Sequence, residues 1–481
     1  MPFTAYYALL FMILLHLTAA NSLTLLDENG SDKGIRLPVV RIPRPQENLV
    51  RRASSMHLSN QNEFSYLVPV QIGGQSFPLI LDTGSSDLWV VSNDCTTADC
   101  SSVSRYSRSL SNGLQTLNAP FDVGYLKGSV SGVVALDVVR LGSYEIRPQV
   151  FGLANDIKDM NLANNGHSGI LGLCLPATRS IAPEFGPTVL ENIFQHIDNP
   201  YFALKLGSHP GPDDPSSSLT IGQLDGKYAS SLSDLHFIPV SSAGASNYNF
   251  WKVPMQGIVT HGMSIPLSPS SVRGVRKGQI AVLDSGTTLM LGPTMDVDAI
   301  WKSLGPAARY NRDVGCWEVR CNKAVDVRII LGPKNNEKEY PVEYDDMNWE
   351  DSGDSEGWCM GGIQANDDVD SGDWLLGDTF LRSVYAVHFV GNSTHTPHMG
   401  LLGTVNREAG IQQFRAKRGP DQDQSSQPEP PMTTPRGLDR RVMPAASTLY
   451  ALGSVGGFIS GAAAMTAFRL WRRFFDAGRR W

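Results

Sequence analysis

One short pattern occurs twice in this chain, and its recurrence constrains the fold more than any other feature. From Pro78 to Val90 the sequence PLILDTGSSDLWV runs an apolar strand into Asp82-Thr83-Gly84. From Ile280 to Gly292, IAVLDSGTTLMLG repeats the arrangement with Asp284-Ser285-Gly286-Thr287-Thr288. A carboxylate at the end of a buried strand is costly unless donors hold it. The glycines permit a tight turn, and Thr83, Ser85 and Ser86 offer hydroxyls to the Asp82 oxygens. About 90 residues after each copy comes a second apolar run ending in glycine, Ile170-Leu171-Gly172 and Leu375-Leu376-Gly377, as expected if a whole lobe is duplicated. Two such lobes can bring Asp82 and Asp284 face to face.

On these paired motifs the chain resembles the pepsin-like aspartic proteases, over roughly Phe64 to Leu402. The resemblance implies an all-β, bilobal fold of two duplicated β-barrel-like lobes, residues 53–225 and 226–404, with the active-site cleft between them. It also implies an aspartic-type endopeptidase that activates water between Asp82 and Asp284 with no metal or other cofactor. Thr83, Gly84, Ser285 and Gly286 then complete the two turns, while Ser85 and Thr287 bond to the outer carboxylate oxygens. Phe121–Gly142 alternates and turns near Leu126-Lys127-Gly128, like the family's substrate-covering flap. The match puts the flap tyrosine at Tyr125, bonded to Trp89; the glycine usual after that tyrosine is Leu126 here.

The chain has six cysteines. The close pair Cys95 and Cys100 reads as a small-loop disulfide in a secreted protein, with a metal site as the weaker alternative since no His or second pair stands near. The resemblance places a disulfide there too and pairs Cys321 with Cys359, which leaves Cys174 and Cys316 over; Cys174 is expected buried, with a free thiol as one reading.

The two ends place the protein in the secretory pathway. Residues 1–20 carry a short apolar run and small residues at Ala19 and Ala20, as a signal peptide does. Residues 21–52 read as a propeptide, with processing after Arg51-Arg52 and, by resemblance, with basic groups that pair with the catalytic carboxylates until acid breaks the pairing. Asn29 and Asn392 begin glycosylation sequons. Residues 405–443 read as a disordered stalk, since Gly419–Arg441 is rich in Pro, Gln, Asp and Ser. Residues 444–468 contain no charge and are long enough to span a bilayer; residues 469–481 carry five arginines, which fix that tail in the cytoplasm. The catalytic lobes then face the cell exterior or an endomembrane lumen, in the manner of fungal membrane-anchored members. A lipid-anchor signal is the competing reading, but the terminal arginines argue for a retained span. Gly453, Gly457 and Gly461 would let two such spans approach closely.

Charge and motifs narrow the partners. The whole chain carries −7, but both ends are basic, so residues 53–404 hold about −15. That argues against nucleic acid as a partner and suits work in acid on protein or peptide substrates, with simple solubility as the alternative reading of the charge. A serine hydrolase is disfavoured because no Gly-x-Ser-x-Gly elbow occurs, and no motif places a His beside Cys174 although His167 is near in sequence. A catalytically inactive peptide-binding protein on the same fold is the remaining alternative; the two complete Asp-(Thr/Ser)-Gly turns argue against it.

Overall fold

Short strands of alternating burial, separated by glycine, asparagine and proline turns, dictate an architecture of sheets packed around aliphatic cores. A computed structural model of the chain describes residues 22–25, 34–43, 64–162, 166–197, 200–207, 217–244, 247–351, 357–369, 371–391 and 394–421. Residues 1–424 make one compact unit and Ser425–Trp481 another; every described residue lies in the first. Among the described residues the structure is mostly β with few helices, in two lobes joined by a shared sheet.

The first lobe is built on a nine-stranded sheet. At its centre, Gly169–Gly172 runs parallel to Gln75–Asp82, with Gly172 opposite Asp82, and antiparallel to Leu88–Val91. The second lobe, on an eight-stranded sheet, repeats this: Trp374–Leu376 runs parallel to Gln279–Leu283, with Leu376 opposite Leu283, and antiparallel to Met290–Gly292. Gln75–Asp82 and Gln279–Leu283 are each flanked on both edges within their sheets; Gln279–Leu283 is buried throughout, whereas Gln75–Asp82 alternates, with Phe77, Leu79 and Leu81 buried. The duplication seen in the sequence is therefore a duplication of strand pairing, and it carries Asp82 and Asp284 to equivalent places.

A six-stranded sheet joins the lobes, ordered His236–Pro239, His398–Gly403, Val384–Phe389, Tyr201–Lys205, Ser218–Ile221 and Ile35–Pro38. Its last strand comes from the expected propeptide. Val40–Pro43 from the same segment pairs with Phe64–Ile72, and Leu37 and Val39 are buried in the core. This placement changes the reading of the segment's basic groups. Arg36 pairs with Asp225 at 3.2 Å. Arg41 is buried beside Tyr66, Arg382, Asp346 and Asp378. Strand pairing directs Arg36 to the joining sheet and Arg41 to the edge of the first lobe's sheet, where each faces other groups than Asp82 and Asp284, contrary to the expectation for these two residues. Arg44, Arg51 and Arg52, like Asn29, Asn392 and residues 1–20 and 444–481, lie outside the described residues.

The second departure is at the far end. The ordered body extends past residue 404 into the segment read as stalk, because Arg407–Arg418 forms a helix. Asn406 caps it by accepting from the Ala409 amide at 3.1 Å. Phe414 is buried against Tyr344, Ala324 and Ile411. Arg407 pairs with Asp326 at 2.5 Å, and Lys417 and Arg418 both pair with Asp345, at 3.0 and 2.9 Å. Asp421 ends the described chain by accepting from the Ala324 amide and pairing with Lys323. The composition that marks a flexible stalk begins only at Gly419, after this helix.

Because the exposed ion pairs contribute little each, docking of this helix rests mainly on Phe414. Phe414→Ala is expected to remove about 3 kcal/mol of packing. Amide exchange should then accelerate across 407–418 and stay unchanged in both lobes. Unaltered protection of the helix would show that the ion pairs hold it instead.

Candidate active site

Asp82 and Asp284, the two candidate catalytic aspartates, are each delivered at the end of a strand and held by their own turn. The Asp82 Oδ1 accepts from the Gly84 amide at 2.8 Å, and its Oδ2 accepts from the Ser85 hydroxyl. The Asp284 Oδ1 accepts from the Gly286 amide at 2.8 Å, and its Oδ2 from the Thr287 hydroxyl at 2.7 Å. The sites are chemically the same, atom for atom. Both carboxyls are buried, 4% and 9% exposed, and the charge of Asp284 acts on Asp82.

The glycines explain how they come so close. A Cβ on Gly84 would lie 2.5 Å from the Asp284 Oδ1, and a Cβ on Gly286 would lie 2.4 Å from the Asp82 Oδ1. Each turn therefore leaves room for the opposite carboxyl, a reciprocity that only glycine allows.

The turns are also locked together. The Thr83 amide donates to the Ser285 hydroxyl at 3.1 Å, and the Ser285 amide donates to the Thr83 hydroxyl at 2.9 Å. The Thr83 hydroxyl in turn donates to the Leu283 carbonyl at 3.0 Å, and the Ser285 hydroxyl to the Leu81 carbonyl at 2.8 Å. The sequence reading assigned Thr83 and Ser86 to the Asp82 oxygens; of the three hydroxyls offered there, only Ser85 reaches them. Thr83 spans the lobes instead, and Ser86 donates to the Leu175 carbonyl at 2.8 Å while contacting Thr178. The available signal was positional: a hydroxyl residue occupies the centre of both turns. Asp87 was also missed. It is buried and accepts from the Ser180 and Ile181 amides at 2.6 and 3.3 Å, tying the loop after residue 175 to the first turn.

The expected flap is a hairpin of Gln115–Gly124 and Ser129–Leu141. Tyr125 stands at its turn, closed by a bond from its own amide to the Gly128 carbonyl at 3.1 Å. The indole N–H of Trp89, itself fully buried, donates to the Tyr125 hydroxyl at 2.8 Å. Burial, then the nearby Asp82 charge, pushes the Tyr125 hydroxyl well above its ordinary pKa, so it stays a neutral donor. Leu126, in place of the usual glycine, is exposed.

Disulfides join Cys95 to Cys100 and Cys321 to Cys359. Cys174 and Cys316 are free and buried, and burial raises the pKa of both. Among the described residues no group of three or more His, Cys, Asp or Glu is placed to hold a metal.

Two buried carboxyls in contact cannot both ionise readily. Burial, then the charge of Asp284, pushes Asp82 up to about 7 from 3.8, against the donors Ser85 and Gly84. Between those values the folded protein binds more protons than the unfolded chain, so this group's contribution to stability falls as pH rises from about 4 to about 7. Asp82→Asn should therefore melt higher than the wild type at pH 7. The difference should shrink toward pH 4, as followed by thermal unfolding across that range. A constant difference would show that Asp82 is not so perturbed.

Comparison with known proteins agrees with this geometry. Residues 65–396 match the eukaryotic aspartyl protease family. Pepsin A of Suncus murinus is 30% identical over 345 residues, covering 70% of this chain and 81% of the relative. Chymosin of Callithrix jacchus is 29% identical over 340 residues, covering 70% and 81%, and pepsin A of Bos taurus is 29% identical over 346 residues, covering 71% and 85%. The chain belongs to the eukaryotic aspartyl protease family and is an aspartic-type endopeptidase.

Proposed function

We propose that the protein cuts within extended peptides at acid pH through water held between Asp82 and Asp284. One observation carries this reading: Gly84 and Gly286 each leave room for the opposite carboxyl, so the two oxygens meet in one buried place. With one proton shared by the pair, the ionised member takes a proton from water as it attacks the peptide carbonyl. The protonated member donates to the carbonyl oxygen, and protons then pass to the departing nitrogen. The proton belongs to the pair, so neither aspartate is assigned it alone. Ser85 and Thr287 hold the outer oxygens, and the flap, with Tyr125 bonded to Trp89, covers the bound peptide. An inactive binding role is disfavoured by the complete pair and its supporting donors.

The setting we propose comes from the ends of the chain. A signal peptide at 1–20 and an uncharged run at 444–468 followed by arginines support a single-pass membrane protein with its lobes outside the cell or in an endomembrane lumen. Among the described residues no helix is long and apolar enough to cross a membrane; the proposed span lies outside them. Glycosylation at Asn29 and Asn392 and processing after Arg52 belong to the same route.

The test is cleavage of a peptide library at pH 4 by the full-length chain. Asp82→Asn and Asp284→Asn should each lower kcat/KM by about 10²–10⁴-fold, and pepstatin should block the wild type. Pepstatin-resistant cleavage that survives Asp284→Asn would overturn the mechanism, and saturable peptide binding without any turnover would favour the inactive reading.

A further inference from the structure

Behind the hydrogen bonds that lock the two turns together, the structure shows a second bridge between the lobes. Trp251 is fully buried. Its indole N–H donates to the Leu173 carbonyl in the first lobe at 3.0 Å. The Leu173 amide donates to the carbonyl of Asp82 at 2.7 Å. In the other direction the Trp251 carbonyl accepts from the Leu283 amide at 3.1 Å, and Leu283 directly precedes Asp284. One residue thus sits two hydrogen bonds from the backbone of Asp82 and next to the strand that delivers Asp284. A parallel tie runs beside it: the Cys174 thiol donates to the Asn249 carbonyl at 3.1 Å, and the Cys174 amide donates to the Ser85 carbonyl at 2.8 Å.

Resting on the dyad reading above, we infer that Trp251, with Cys174 as its neighbour, is a positioning residue that sets the spacing of Asp82 and Asp284. The surroundings suit a rigid strut. Trp251 packs edge-on against Phe202 at 5.8 Å and against His388 at 4.9 Å, while Phe202 and His388 stack face to face at 4.3 Å. Phe202 and His388 come from the joining sheet, and Trp251 directly precedes Lys252–Thr260 of the second lobe's sheet. Burial holds His388 down to about 3, so that ring stays neutral and does not swell the site with charge at ordinary working pH. The thiol of Cys174 is kept protonated by burial and therefore remains a donor.

The consequence can be read from activity without relying on fold stability. A looser spacing weakens the coupling between the carboxyls, so the two limbs of the bell-shaped kcat/KM profile should move together. In the full-length chain, Trp251→Phe keeps an aromatic ring and removes the N–H. It should lower kcat about tenfold with KM within about twofold, and narrow the pH profile. Cys174→Ala should produce a smaller change of the same kind, and Cys174→Ser, which restores a donor, should return the profile toward the wild type. If Trp251→Phe does not fold, the Cys174 pair alone decides. Wild-type limb spacing and kcat in these variants, or losses that follow only the folded fraction, would overturn the inference. A wild type whose cleavage ignores Asp284→Asn would instead overturn the dyad itself.

Discussion

The structure depends on four hydrogen bonds that cross between two copies of one turn. Thr83 and Ser285 each give an amide to the other's hydroxyl, and each hydroxyl then donates to the carbonyl ending the opposite catalytic strand. All of these groups are buried, so leaving any one unmade would cost roughly 1–3 kcal/mol. The network ties the two turns together beside the paired carboxyls. Everything else near the cleft is arranged around that junction: two carboxyls in contact, glycines that admit them, and hydroxyls that hold their outer oxygens.

That arrangement offsets the cost of burying two carboxyls with a set of donors for each. A lone carboxyl at the end of a buried strand would simply take up a proton. Here a second carboxyl faces it, and each has an amide and a hydroxyl donor. The donors favour the ionised form while burial and the neighbouring charge oppose it, and for Asp82 the opposition wins. The acidic balance of the central region fits the same conditions, because carboxylates on the surface lose charge as pH falls.

Much of this was legible in the sequence, and particular residues show why. Asp82 and Asp284 could be read because a short motif occurred twice with matching partners, Gly172 and Gly377, at similar distances. Strand pairing then had little freedom, since the apolar faces of both strands must be covered. Thr83 was legible as a residue but not as a bond, because a hydroxyl next to a carboxylate has a nearer acceptor in sequence than the one it uses across the lobes. Trp251 was hidden for a similar reason: an indole in an apolar strand reads as core, and its acceptor, Leu173, lies 78 positions away. The helix Arg407–Arg418 was missed because its polar sequence offers a single buried anchor, Phe414, too little to distinguish a docked helix from a tether. Arg36 and Arg41 of the leading segment lie away from the carboxylates that charge suggests as partners, because backbone pairing with Ser218–Ile221 and Phe64–Ile72 decides their location; the segment's other basic residues lie outside the described residues.

The central claim is that Asp82 and Asp284 share one site and one proton. The direct measurement is carbon-13 NMR titration of aspartate carboxyls in the full-length protein, with Asp82→Asn used to assign the signals. The account predicts a carboxyl that titrates near neutrality in the wild type, and disappearance of that titration when either member is replaced. Two carboxyls that titrate independently in the ordinary range near pH 4 would contradict it.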